Sequence, residues 1–149
     1  MTVHTYRGPE DIHLWLAIRN AAFAEQIAGT RPWDEADFRR EFLEKPWWRP
    51  DWMWFAEPAA PDGGGVQAVG VVALKRSLPR DAPAGSVQWL AVLPAWRRQG
   101  VGRLLMATLE RAAWEAGLPV VTAETLREWD AAVRFYQALG YRVGKPEAS

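Results

Sequence analysis

The sequence contains no cysteine in 149 residues. That absence removes disulfides, thiolate zinc sites and cysteine nucleophiles together, and it fits a cytoplasmic protein. Histidine is almost as scarce, with only His4 and His13, too few for a histidine-rich site, so no metal is expected. No apolar run approaches the ~18 residues that a membrane span needs. The first residues lack a signal-peptide pattern, and no membrane partner is expected. Neither sign of charge is in excess, because 18 basic and 18 acidic residues give a formal net charge of zero. Bulk electrostatics therefore disfavour a nucleic-acid partner. The few serines and two histidines form no nucleophile motif of a Ser-His-Asp hydrolase.

What remains is a chain of ordinary globular composition, long enough to bury a core unaided, and its length favours one domain over residues 1–149. Residues 2–7 read as a strand, after which Pro9 breaks the chain. Ile12, Trp15, Leu16, Arg19, Ala22 and Phe23 follow helical spacing and predict a helix over 10–26. Asp34 is a candidate cap for a second helix, with Phe38 and Phe42 on one face and Pro46 as its stop. Residues 52–57 and 66–74 read as strands joined by a Pro/Gly-rich turn region, and 86–92 as a fourth strand. A helix over 99–116 carries an apolar stripe and ends at Gly117. Residues 119–123 form a fifth strand, 130–139 a helix ended by Gly140, and 141–143 the start of a last strand. The order is β-α-α-β-β-β-α-β-α-β, an α/β (α+β) arrangement. Only the strand-helix-strand unit around the third helix requires a parallel pair.

The most informative stretch runs from Trp89 to Arg103. An apolar strand meets Pro94, then a basic turn with Gly100 and Gly102, and that turn opens a long helix. The first turn of a helix carries N–H groups without intrahelical partners and partial positive charge, a ready site for a phosphate or pyrophosphate. Glycine lets an anion approach the backbone, while Arg97, Arg98 and Arg103 add full charge around it.

Leu90-x-Val92-x-Pro94-x-x-Arg97-x-x-Gly100-x-Gly102 resembles the cofactor motif of the GNAT superfamily of N-acetyltransferases, and Ala132-Val133-Arg134-Phe135-Tyr136-Gln137-Ala138-Leu139-Gly140-Tyr141 resembles its second signature. The order of elements matches over nearly the whole chain. The resemblance implies a central mixed twisted sheet with helices on both faces. It also implies acetyl-CoA, or another acyl-CoA, as co-substrate and an amine of a small molecule or protein as acceptor. Carried onto this sequence, backbone groups of Leu90, Ala91 and Val92 would pair with the pantetheine arm. The N–H groups of Arg98, Gln99, Gly100, Val101, Gly102 and Arg103 would hold the pyrophosphate, and Arg97 fills the first motif position. Tyr136 would protonate the departing thiolate, which a phenol can do at neutral pH without any pKa shift.

The chain departs from the pattern in three places. Where the family often has a glutamate base on the fourth strand, this chain has Gln88. The base is then Glu124, Glu57 or a water, or the amine arrives deprotonated. Trp129 stands where many relatives have asparagine. The C-terminus is short, and an unfinished sheet edge invites a homodimer. Ten tryptophans are the other anomaly, and Trp33, Trp47, Trp48, Trp52 and Trp54 fall between the second helix and the second strand, beside the acceptor pocket of this fold. Trp47 and Trp48 suggest a cationic or aromatic acceptor, loop packing or an interface. Trp52 and Trp54 alternate on a strand and read as core. A CoA- or partner-binding module with weak or no turnover is the alternative to an enzyme. A dinucleotide site is disfavoured because Leu105 replaces the third glycine of that fingerprint.

Overall fold

The computed structural model describes residues 1–24, 31–59, 67–77, 83–124 and 130–142. Five strands form one sheet in chain order: β1 (Thr2–Thr5), β2 (Met53–Glu57), β3 (Gly70–Ser77), β4 (Ala84–Val92) and β5 (Val120–Ala123). The first four pair antiparallel, and β4 and β5 pair parallel. That one parallel pair is the strand-helix-strand unit expected from the sequence. β2 alternates its faces: Met53 and Phe55 join one buried cluster, Trp54 and Ala56 the other. A strand covered on both sides reads as a continuous apolar run.

The first cluster is covered by α1 (Pro9–Phe23) and α2 (Glu35–Phe38), and the second by α3 (Val101–Glu115) and α4 (Asp130–Ala138). Pro9 sits in the first turn of α1, where its missing N–H costs nothing, and Glu10 and Asp11 favour the positive end of the helix. Asp34 caps α2 in a reciprocal box, accepting from the Asp37 N–H while the Asp37 carboxylate accepts from Asp34 N–H. The second helix then departs from expectation. Residues Arg39–Leu43 form a π-helical turn, so the wide winding replaces the regular helix expected up to Pro46. Phe38 and Phe42 are nonetheless both fully buried, with ring centroids 5.0 Å apart.

Several boundaries move. β1 stops at Thr5 and not at residue 7, and α1 ends at Phe23, while Glu25 and Gln26 lie outside the described residues. Trp52 falls in a 3-10 turn (Pro50–Trp52) ahead of β2. It is buried with Trp54 in the second cluster, as core tryptophans are expected to be. β3 runs past the expected Leu74 to Ser77 because Lys75 and Arg76 pair with Ser86 and Gly85 of β4, and ladder pairing overrides their polarity. Tyr141 and Arg142 form no strand, and Val143 lies outside the described residues.

Candidate active site

β4 is irregular where it matters. Val71 faces Ala91 and Ala73 faces Gln88, so Trp89 and Leu90 together oppose Val72. This is a β-bulge, and Trp89 takes a left-handed φ of 53° within it. A bulky residue there is strained by about 1–3 kcal/mol and persists only if its surroundings hold it. They do: the Trp89 indole N–H donates to Glu41 on the π-helical turn at 3.1 Å, and its ring meets Trp15, Trp33 and Phe23 edge-on. Beyond the bulge β4 keeps β3 on one side, but its ladder with β5 ends at Val87–Ala123. Leu90, Ala91 and Val92 thus show an edge with no strand partner among the described residues.

After β4 a 3-10 turn (Pro94–Trp96) leads into extended Arg97 and left-handed Arg98 (φ 64°) and Gly100 (φ 84°). No side chain caps α3, whose first internal bond is Leu104 N–H to Gly100 C=O. The N–H groups of Val101, Gly102 and Arg103 are left to face whatever binds there. The two glycines have different reasons. A Cβ on Gly100 would meet nothing within 4 Å, so that side of the turn is open. A Cβ on Gly102 would sit 3.0 Å from Phe135 Cζ, so glycine there lets α4 pack against the start of α3.

The unpaired edge of β4, the turn, the start of α3, the end of α1 and one face of α4 enclose a cavity of about 690 Å³. Leu90, Ala91, Val92, Arg97, Arg98, Gly100, Val101, Gly102, Arg103 and Tyr136 all line it. Gln99 does not; its amide donates to Ala95 C=O at 3.1 Å. Arg97 is tied back to α1 through Ala22 C=O at 2.9 Å, whereas Arg98 and Arg103 are exposed, with no ion pair among the described residues. Arg134, Phe135, Trp96, Ala22 and Phe23 also line it, with Ala131 and Ala132 of α4. Among the described residues the lining has four arginines and no carboxylate, which favours an anionic ligand. Burial raises the Tyr136 phenol from 10.0 to about 12, so it stays protonated through the physiological range. Its ring leans on Phe135 and Tyr141, with centroids 5.3 and 5.5 Å away.

Residues 15–141 match the acetyltransferase (GNAT) family. The chain belongs to the GNAT acetyltransferase family. A mycothiol acetyltransferase of Mycobacteroides abscessus is 35% identical over 154 residues, covering 100% of this chain and 48% of the relative. One of Frankia casuarinae is 33% identical over 146 residues, covering 95% and 41%. The chain thus spans about half the length of the curated relatives it matches. The fold superposes on an aminoglycoside antibiotic 6'-N-acetyltransferase of Acinetobacter haemolyticus with a TM-score of 0.72 at 15% identity, covering 100% of this chain and 96% of that one. GNAT acetyltransferases use acetyl-CoA.

The remaining candidates of this GNAT chain lie away from the cavity. Glu124 is exposed just past β5 and does not line it. Glu124→Gln is therefore expected to leave kcat within about twofold in a CoA-release assay, and a drop beyond tenfold would return it to the site. Glu57 accepts a hydrogen bond from His4 Nε2 at 2.8 Å and lies near Arg7, at the start of α1. The Gln88 amide turns to Ser86 Oγ at 3.0 Å. Trp47 and Trp48 are half-buried against the first cluster, Trp48 edge-on to Tyr6 and both rings against Phe42. The tryptophan faces are largely taken by the chain's own cations: Arg19 on Trp33 at 4.4 Å, Arg49 on Trp52 at 4.1 Å and Lys75 on Trp47 at 5.7 Å. Trp129 lies outside the described residues. Among the described residues no cluster of three His, Asp or Glu could hold a metal, and no helix is long and apolar enough to cross a membrane.

Proposed function

We propose that this chain is an acetyl-CoA-dependent N-acetyltransferase whose acceptor is an amine of a small molecule or peptide, carried by one domain. One observation supports this above the others: a single cavity brings together an uncapped helix start, an unpaired strand edge and a protonated tyrosine. These three suit the three parts of the co-substrate. The N–H groups of Val101, Gly102 and Arg103 suit a pyrophosphate, with Arg98 and Arg103 at hand. The backbone of Leu90, Ala91 and Val92 can pair with an extended amide-bearing arm as it would with a strand. Tyr136, protonated and in the same cavity lining, suits the role of proton donor to a leaving thiolate.

In this reading the amine nitrogen, in its neutral form, attacks the thioester carbonyl. A C–N bond forms, the C–S bond breaks, and Tyr136 gives its phenolic proton to the departing sulfur. The proton lost by the new amide nitrogen returns through water to the phenolate, so protons balance. The chain supplies positioning by the bulged β4 and charge stabilisation by the arginines. The similarity to mycothiol acetyltransferases and the fold of aminoglycoside acetyltransferases agree with an amine acceptor.

A second reading is a CoA-binding module with little turnover, favoured by the absence of a carboxylate among the described residues of the cavity lining. Thermal melting separates cofactor binding from its absence. At a hundredfold excess over Kd a ligand specific to the folded state adds about 2.7 kcal/mol, roughly 5–10 °C in Tm for a domain of this size. Acetyl-CoA is expected to give that rise, and NAD and ATP at equal concentration are not. Equal shifts from all three, or none, would remove the CoA reading, and a rise without acetylation of any amine would favour the module.

A further inference from the structure

Arg19 is the one buried cation among the described residues, with 4% of its surface exposed. It projects from the apolar face of α1 that also buries Trp15, Ile18 and Ala22. Its charge has no carboxylate partner among the described ion pairs. Among the described residues the guanidinium makes one hydrogen bond, from Nη1 to Asn20 Oδ1 at 3.0 Å, and its Nε is buried without a hydrogen-bond partner. Asp37, the acid whose charge most favours it, is already held by both amino groups of Arg31, at 2.6 and 2.7 Å, and by Arg40. Burial accordingly lowers the Arg19 pKa from its ordinary value.

A buried charge without a counterion costs several kcal/mol, and native chains keep such groups where a function uses them. Three rings hold the guanidinium: Trp33 at 4.4 Å, Trp89 at 5.4 Å and Phe23 at 5.9 Å. Trp33 is itself clamped to α1 by Asn20, which donates to its C=O and accepts from its N–H at 3.0 and 2.9 Å. Ring faces satisfy the flat faces of a guanidinium and do not engage its edge donors, of which Asn20 takes one here. Arg19 stands just behind the cavity wall: it lies one turn before Ala22 and Phe23, which line the cavity, and against Trp89, the chain neighbour of the lining residue Leu90. Trp33, Trp89 and Phe23 are only half-buried, so this cluster reaches the surface.

We infer that Arg19 receives a carboxylate of the acceptor, so the amine acetylated belongs to a carboxylate-bearing molecule of the α-amino-acid type. This rests on the acetyltransferase reading above. It also reverses the usual expectation for a tryptophan-rich pocket. The aromatic faces here do not await a cationic ligand; they hold the chain's own cation ready for an anionic one. A carboxylate accepts two parallel N–H bonds from the guanidinium edge, a geometry that an amide or ester cannot match.

The test compares amino acids with their C-terminal amides as acceptors, with acetyl-CoA, by release of free thiol, to which a cysteine-free enzyme adds no background. The intact protein is expected to favour the acids at least tenfold in kcat/KM, mainly through KM. Arg19→Met is expected to bring the ratio close to one, through a rise in KM for the acids, and Arg19→Lys to keep part of it. Equal use of acids and amides by the intact protein overturns the inference, as does an unchanged ratio in Arg19→Met. Turnover confined to amines without a carboxylate, or acetyl-CoA binding with no acceptor in the panel used, overturns it too. If Arg19→Met does not fold, the acid-to-amide ratio of the intact protein and of Arg19→Lys decides. Failure of the acetyltransferase reading looks different: no acetyl-CoA shift in Tm and no thiol release with any amine.

Discussion

Replacing Tyr136 by phenylalanine is expected to lower kcat about a hundredfold while leaving the Kd for acetyl-CoA within about twofold. General acid catalysis by a positioned side chain contributes typically 10²–10⁴-fold, and the low end applies because a small leaving thiolate can also draw a proton from water. The variant keeps the ring that rests against Phe135 and Tyr141, so the cavity wall survives and only the hydroxyl is lost. A fall in binding with unchanged kcat would make Tyr136 a wall residue. The pH dependence gives an independent check. Burial holds the phenol protonated until about pH 12, so its ionisation adds no alkaline fall in rate below about pH 10. The rate rises with pH instead, as the acceptor amine loses its proton, because no carboxylate among the described residues lines the cavity to remove it. The same raised pKa weakens the fold in alkali. The unfolded chain ionises its tyrosine near 10.0 and the folded chain does not, so stability present below pH 10 is lost as pH climbs towards 12.

Trp15→Ala is expected to cost about 3–5 kcal/mol, the range for deleting a large buried aromatic ring. At 2–4 °C per kcal/mol for a chain of this size, Tm falls by roughly 10 °C. Trp15 has no exposed surface and touches four other rings: Phe38, Phe42, Trp33 and Trp89, at 5.2, 5.1, 5.9 and 6.1 Å. Its indole N–H is buried without a partner, so the residue is held for its shape and not for its donor. Trp15→Phe should therefore lose less than half as much, since it removes an unsatisfied N–H along with some volume. Calorimetry of both variants checks this. Equal losses would mean that the N–H has a partner in solution. Because Trp15 supports Trp89, Trp15→Ala also loosens the bulge of β4.

The parts of the site that sequence shows well are those made by local backbone chemistry. Pro94, the basic turn, Gly100 and Gly102 announce a strand-to-helix turn whatever the rest of the chain does, and of the residues from Arg97 to Arg103 all but Gln99 line the cavity. Tyr136 is legible for the same reason, in a short signature on one helix. The bulge at Trp89 is not, because register is a property of two strands and nothing in β4 alone reveals that Val72 opposes two residues. β3 slides towards Ser77 for the same cause. The π-helical turn at Arg39–Leu43 keeps Phe38 and Phe42 four apart, and hydrophobic spacing cannot distinguish it from an ordinary helix. Candidate acids were legible by type and not by place: Glu124 ends outside the cavity and Glu57 is engaged by His4. Arg19 carries a signal that sequence does supply, a charge within an apolar stripe, but its lack of a counterion among the described residues appears only when the chain is folded.

Among the described residues β4 is zipped on both sides up to Val87 and on one side from there to Val92. Open strand edges recruit other strands, and native proteins shield them with charge, bulges or a covering segment. The guanidiniums of Arg98 and Arg103 supply some charge at this edge and the bulge at Trp89 twists it, but Leu90, Ala91 and Val92 remain an apolar template. An arm of acetyl-CoA lying along it would act as a non-protein strand that never propagates, since it offers no second edge. Substrate would then guard the protein against self-association, and storage with the cofactor would favour soluble material over aggregates.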